Sequence, residues 1–179
     1  MSAMRFFARW RASFAVTLAR RRVTLGFVCG AAVLLLARPT RFSLLIGAPV
    51  ALAGEGLRIW AAGHLEKSRE VTTSGPYRWT RHPLYVGSTL LGAGLAIASN
   101  RLAVAAIVIA YMVLTLTAAA RSEERHLESK FGEEYGQYRR GATAGVARRF
   151  SMDRARRNGE HRTLVGVLLV LAYLLAFRA

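Results

Sequence analysis

The stretch Leu84–Ala120, LYVGSTLLGAGLAIASNRLAVAAIVIAYMVLTLTAAA, decides the fold. Two apolar runs, Leu84–Ala98 and Leu102–Ala120, are parted only by Ser99-Asn100-Arg101. A helix needs about 17–25 residues to cross ~30 Å of hydrocarbon. The second run meets that length, and the first comes close. The break between them is a tight turn, so the two runs form a helical hairpin in a membrane.

Working outward, three more apolar runs lie at Val23–Ala37, Phe42–Gly63 and Thr163–Phe177. Arg38-Pro39-Thr40-Arg41 is a second tight turn. The expected fold is all-α: a polytopic membrane helical bundle of about five transmembrane helices, including the helical hairpin. The first, third and last runs are short, and four spans is the alternative count. The expected divisions are a basic amphipathic segment at 1–22, a membrane core at 23–140, a loose basic linker at 141–162 and a C-terminal membrane helix at 163–179.

Lys plus Arg outnumber Asp plus Glu by 26 to 10. In a soluble chain that excess points to nucleic acid, but here the Arg residues lie between apolar blocks. No nucleic-acid partner is expected. Six Arg precede the first run, four Lys or Arg lie in His64–Arg81, and eleven lie in Arg121–Arg162. If all five runs span, these loops share one face, and the positive-inside rule puts that face and the N-terminus in the cytoplasm. Composition leans towards a bacterial inner membrane. Anionic lipid attracts the basic linker by about 1 kcal/mol for each Arg near the surface. At the N-terminus, Arg5, Arg9 and Arg11 alternate with Phe6, Phe7, Trp10 and Phe14, as in a helix lying on a membrane or in a solvated basic tail. The single cysteine, Cys29, has no partner for an internal disulfide and reads as a packing or lipid-facing residue. The four His residues are scattered, so no metal site is expected.

Two clusters carry chemistry. The first is Thr73–Gly87, TSGPYRWTRHPLYVG. Gly75-Pro76 marks a turn, and Pro83 suits the first turn of a helix, where its missing N–H costs nothing. A helix start offers free N–H groups to an anion such as a carboxylate. Tyr77, Trp79 and Tyr85 add aromatic surface, which also fits an ordinary interfacial belt. The second cluster is Arg121–Tyr138, RSEERHLESKFGEEYGQY. Glu124 and Glu128 lie one helical turn apart, as do Arg121 and Arg125. Glu123 at the membrane edge suits a cationic ammonium, and a solvated charged helix is the plain alternative. A third feature is Glu55 and Arg58 within the second run, where charges are costly unless paired. Gly54-Glu55-Gly56 adds a weak G-x-G, and His64 reads as an interface residue.

The two clusters, in this order and parted by one hairpin, resemble the isoprenylcysteine carboxyl methyltransferase family, within the wider set that includes phospholipid methyltransferases. The resemblance covers roughly 57–140. It implies S-adenosyl-L-methionine as cofactor in a cytosolic pocket, with Tyr77, His82, Pro83, Leu84, Tyr85 and Glu123 binding it. The segment from Arg69 to Thr72 matches another cofactor-contacting piece. An Arg that meets the substrate in prenyl-protein members falls at Ala119 here, and Arg121 lies two residues on. Arg121 and Glu124 are therefore the candidate catalytic residues.

The implied activity is methyl transfer to a lipophilic or lipid-anchored acceptor, a carboxylate as in the resembled family. The alternatives are a phospholipid or small-lipid N-methyltransferase and a sterol-reductase-like enzyme using NADPH. Sterol reductases share the R-H-P-x-Y-x-G pattern, but commonly follow that Gly with an acid where this chain has Ser88.

Overall fold

The computed structural model describes residues 25–26, 28–67, 69–141 and 146–177. The proposed amphipathic segment at 1–22 lies outside them. Six α-helices follow in order: α1 at 28–36, α2 at Arg41–His64, α3 at Pro83–Ser99, α4 at Leu102–Arg139, α5 at Met152–Arg157 and α6 at Glu160–Phe177, with a 3₁₀ turn at Gly75–Arg78 between α2 and α3. Among the described residues there is no strand, only one isolated bridge between Thr72 and Val146.

Among the described residues three helices are long and apolar enough to cross a membrane: α2, α4 and α6. At 17 residues, α3 is shorter. The chain is thus an integral membrane protein by length and composition, with three candidate spans where the sequence led us to expect about five.

Local chemistry sets the helix ends. Thr40 caps α2 in a capping box with Ser43: each side chain accepts the other's backbone N–H, at 3.1 and 2.9 Å. Pro83 is the first residue of α3, and Asn100 closes that helix in the left-handed region with φ 49°. The α1–α2 turn holds this closed end, since Arg38 N–H donates to Ser99 O at 2.9 Å and Ser43 Oγ donates to Ala98 O at 3.1 Å.

The closest helix pair is α2 with α3. A methyl group on Gly47 would come within 2.6 Å of Gly94 O, and one on Gly54 within 2.7 Å of Gly87 O. The relation is reciprocal: Cβ atoms on Gly94 and Gly87 would each lie 2.7 Å from the opposite glycine's carbonyl oxygen. Small residues let two membrane helices meet backbone to backbone, where dispersion and not the hydrophobic effect holds them together. The expected hairpin partner α4 packs more loosely, through side chains: Val104 and Val108 bury against Val33, with Ala96 and Met112 beside them. Leu174 of α6 joins Ala37, Leu44 and Ala98 in a second cluster.

Helix α4 runs on past its apolar part into the charged cluster, and kinks at Gly132 (φ 48°, ψ −117°). The stretch expected as a loose linker is ordered where described. Val146 N–H donates to Val71 O at 3.1 Å, and Thr73 N–H donates to Val146 O at 3.4 Å. Ser151 caps α5 by accepting from Arg154 N–H, and Gly159, at φ 89°, turns the chain into α6 three residues earlier than the sequence implied. Arg154 explains the order. Its Nη1 donates to Gly63 O at 2.6 Å, and its Nε donates to Glu66 at 3.0 Å. Asn158 donates to the carbonyls of Ala62 and Leu65, both at 2.9 Å. Residues 146–159 therefore form a strap across the C-terminal end of α2, whose last carbonyls need donors.

Candidate functional site

The loop that leaves α2, the start of α3, the charged end of α4 and the strap surround one cavity of about 710 Å³. Its wall includes Tyr77, Leu84, Tyr85, Glu123, Tyr135 and Tyr138. The two chemical clusters, though separated by a hairpin, meet here because α4 returns antiparallel to α3 and overshoots its start.

Two hydrogen bonds join them. Tyr85 OH donates to Glu123 Oε2 at 2.6 Å. His82 Nε2 lies 3.0 Å from Glu124 Oε1, which Arg81 Nη1 also approaches at 3.3 Å. An ionised carboxylate only accepts, so in that state Nε2 carries the proton. The hydrogen bond from His82 is the main reason the Glu124 carboxyl is held below its ordinary range, with Arg81 adding to the effect. The His82 and Tyr85 rings stack at 5.4 Å. Tyr138 OH donates to Tyr77 O at 2.8 Å and so fastens the end of α4 onto the 3₁₀ turn. Burial, then the nearby Glu123 carboxylate, drives the Tyr77 hydroxyl far above its usual pKa. Burial likewise pushes Tyr138 up to about 12. Both phenols stay neutral, and that of Tyr138 acts as a hydrogen-bond donor.

Of the residues singled out from sequence, Tyr77, Leu84, Tyr85 and Glu123 line the cavity. His82 and Glu124 pair just behind that wall. Pro83 is buried as the first residue of α3. Val71 and Thr72, from the Arg69–Thr72 segment, also line the wall. Arg121 is exposed and off the wall, whereas Ala119 is on it.

Other wall residues escaped the sequence reading. Asn158 and Glu160, from the strap and α6, lie there; Arg58, singled out with Glu55 as a charge within the second run, and Ser88 of α3 line the wall beside them. Glu160 could have been noticed as an acid inside the most basic stretch. Its partner Arg58 is 102 residues away, so no local pattern links them. His64, which we took for an interface residue, is buried: its Nδ1 lies 3.0 Å from Ser74 Oγ and 2.9 Å from Arg148 O.

Two buried hydroxyls on the wall, Thr72 Oγ1 and Tyr135 OH, have no hydrogen-bond partner among the described residues. Buried polar groups are rarely left so. They are available to a polar ligand, and the volume falls within the ~300–1,000 Å³ of small-molecule sites. Among the described residues no group of three or more His, Cys, Asp or Glu side chains is placed to hold a metal ion.

Residues 54–134 match the sequence model of a family described as phospholipid methyltransferase. That is the wider membrane methyltransferase family that includes the isoprenylcysteine enzymes. Over 93 residues the chain is 40% identical to the cobalt-zinc-cadmium resistance protein CzcN of Cupriavidus metallidurans, covering 51% of this chain and 42% of that protein. Over 98 residues it is 36% identical to the nickel-cobalt-cadmium resistance protein NccN of Alcaligenes xylosoxydans xylosoxydans, covering 54% and 44%. The chain thus spans less than half the length of these relatives. No solved structure matches it. The family match runs from the middle of α2 into the charged end of α4, and stops before the strap and α6.

Proposed function

We propose that this chain is an integral-membrane methyltransferase that uses S-adenosyl-L-methionine and methylates a lipid-associated acceptor. The observation that carries this reading is the meeting of Tyr85 and Glu123 at 2.6 Å on the wall of a cavity sized for a small molecule. The family match over 54–134 supports it.

The wall fits such a cofactor. Glu123 would accept from its ammonium or ribose hydroxyls, Thr72 and Tyr135 would gain the partners they lack, and the aromatic rings would cover its apolar parts. The positive end of the α3 dipole, opened by Pro83, would favour its carboxylate, although Tyr85 N–H and Val86 N–H already donate to His82 O. When bound, the cofactor supplies a methyl group on a positively charged sulfur.

The chain's own part is alignment and exclusion of water. Tyr138 clamps the 3₁₀ turn, and the His82–Glu124 pair fixes the angle between the start of α3 and the end of α4. In a low-dielectric site a carboxylate acceptor needs no base, because opposite charges cancel during transfer. An amine acceptor must first lose a proton, and the His82–Glu124 pair, which lies behind the wall, would receive it only by relay. Ala119 stands where prenyl-protein members carry an Arg, and Arg121 points elsewhere. This favours no single acceptor, so carboxylate and amine are both carried forward.

On this reading the apolar segments number five, the basic loops face the cytoplasm, the cofactor enters from that side, and the acceptor enters laterally from lipid. The relatives' names add a setting, metal resistance, in which the methylated product would act. The test is binding of labelled S-adenosyl-L-methionine to the purified chain in detergent. Wild type should bind, and a Tyr85→Ala, Glu123→Ala double variant should lose at least about tenfold in affinity, the scale of a lost charge-assisted hydrogen bond. Equal binding by both proteins would remove the site assignment, and no binding by either would remove the function.

A further inference from the structure

Beyond the Tyr85–Glu123 pair, the cavity wall holds a second charged group built from three helices. Arg58 of α2 donates through Nη1 to Ser88 Oγ of α3. Its Nη2 donates to Glu160 Oε1 of α6 at 3.1 Å and lies 2.9 Å from Glu160 Oε2. Its Nε lies 3.3 Å from Glu55 Oε2. One guanidinium therefore stands between two carboxylates, and with all three ionised one negative charge is left over.

Both carboxyl groups are out of water: Glu55 is 1% exposed and Glu160 5%. Buried carboxylates normally collect donors on both oxygens. Here Glu55 and Glu160 Oε2 meet Arg58 only as ion pairs, and neither oxygen of Glu55, Oε2 of Glu160 nor Arg58 Nε makes a hydrogen bond among the described residues. Glu160, Arg58 and Ser88 all line the cavity, and so do Tyr77, Tyr85 and Tyr111. Aromatic faces attract cations through their ring quadrupole, and more strongly where water is excluded. Two buried carboxyl groups sharing one guanidinium, oxygens with hydrogen-bonding capacity to spare and aromatic walls point to the same kind of ligand group.

We propose that Glu160, backed by Glu55 across Arg58, forms a subsite for one positively charged onium centre, a sulfonium or an ammonium. The proposal rests on the methyl-transfer reading and adds the residue that sorts ligands by charge. A carboxylate at this position would meet Glu160 in a medium that screens little. Glu160 lies outside the matched span 54–134. The C-terminal helix thus brings to the cavity a selectivity that the matched core does not contain.

Two ligands carry such a centre, the cofactor and an amine acceptor. The full chain in phosphatidylcholine nanodiscs is titrated by calorimetry with S-adenosylmethionine, S-adenosylhomocysteine, hexylammonium and hexanoate. Glu160→Gln keeps an oxygen for Arg58 and removes the charge. It should weaken at least one cationic probe by about tenfold, the scale of a charge-assisted contact, and leave hexanoate no weaker. Loss for S-adenosylmethionine alone assigns the sulfonium. Loss for both cofactor forms assigns their amino group, and loss for hexylammonium alone assigns the acceptor. Unchanged binding of all three probes that carry an ammonium or sulfonium group, or an equal loss for hexanoate, overturns the subsite. Should Glu160→Gln fail to fold, Glu55→Gln removes the same charge from behind Arg58 and should weaken the same probe by about threefold. If wild type binds neither cofactor form, methyl transfer fails, while Glu160-dependent hexylammonium binding would leave the subsite standing.

Discussion

The α2–α3 seam and the strap are both contacts of helix α2, and they are built in opposite ways. Along the seam two backbones touch because Gly47, Gly54, Gly87 and Gly94 leave nothing between them. At its C-terminal end, α2 is held at a distance by long side chains, Arg154 and Asn158, that reach its last carbonyls and Glu66. The seam has no room to adjust, whereas the strap is a set of replaceable hydrogen bonds. A rigid seam fixes where α3 starts, and so where Tyr85 and His82 point. A strap of separate bonds can tune the wall it carries, which includes Asn158 and leads directly into Glu160.

This contrast is broken most sharply at the seam. Gly94→Leu places a side chain where even a methyl would lie 2.6 Å from Ala51 Cα. Neither backbone can retreat without losing the Ser43 and Arg38 bonds at the closed end of α3. We expect destabilisation above the ~1–3 kcal/mol usual for overpacking, seen as loss of monodisperse protein in detergent. A Gly94→Leu protein that purified and melted like wild type would mean that the helices do not approach as described. Gly56, by contrast, has nothing within 4 Å of the same position, and Gly56→Ala should be well tolerated.

A smaller effect is expected at the strap. Arg154→Ala removes donors to Gly63 O, Arg149 O and Glu66 while leaving those acceptors in place. Bonds to charged groups contribute about 1.5–3 kcal/mol, so local opening of 146–159 should become easier by that order. Hydrogen exchange should speed up at Val146, Ser151 and Ala155, while α3 stays protected. Equal acceleration in α3 would show that strap and seam form one cooperative unit.

Much of this was legible in the sequence, for reasons that differ by region. The Ser99-Asn100-Arg101 turn and the Pro83 helix start depend on local backbone chemistry, and both stand where local rules put them. A short turn fixes which helices are consecutive, but not which are closest: α4 follows α3 as the hairpin expects, while the closest approach to α3 belongs to α2. The signal for the true pair was present as two glycine pairs spaced by seven, Gly47/Gly54 and Gly87/Gly94, which bring one helix face to another. At the site, Tyr85 and Glu123 were legible as two clusters flanking one hairpin. The Arg58–Glu160 pair was not, because residues 102 apart meet only through the strap. The order in 146–159 was hidden for the same reason. Its Arg residues read as a loose basic linker until Glu66, Glu70 and the end of α2 are seen to pair with them.

The smallest effect expected belongs to the contact that closes the site, and it is a matter of pH. Glu124 lies beyond the apolar part of α4, and its carboxyl is held below the ordinary range mainly by His82. A carboxyl whose folded value is depressed stabilises the fold fully above its unfolded value of about 4.3, and that contribution is lost as pH falls through the lower folded value. Glu124→Gln should therefore melt below wild type at neutral pH, and the gap should close on acidification below about pH 4. Glu124 is a third exposed, so water screens the pair and the shift in melting temperature should be small. Because His82 and Glu124 sit behind the wall while Tyr85 and Glu123 sit on it, this variant should disturb cofactor affinity less than Glu123→Gln does. A melting gap that stays constant from neutral pH into the acid range would show that Glu124 acts through packing and not through its charge. The link between the start of α3 and the end of α4 would then rest on Tyr85 and Glu123 alone.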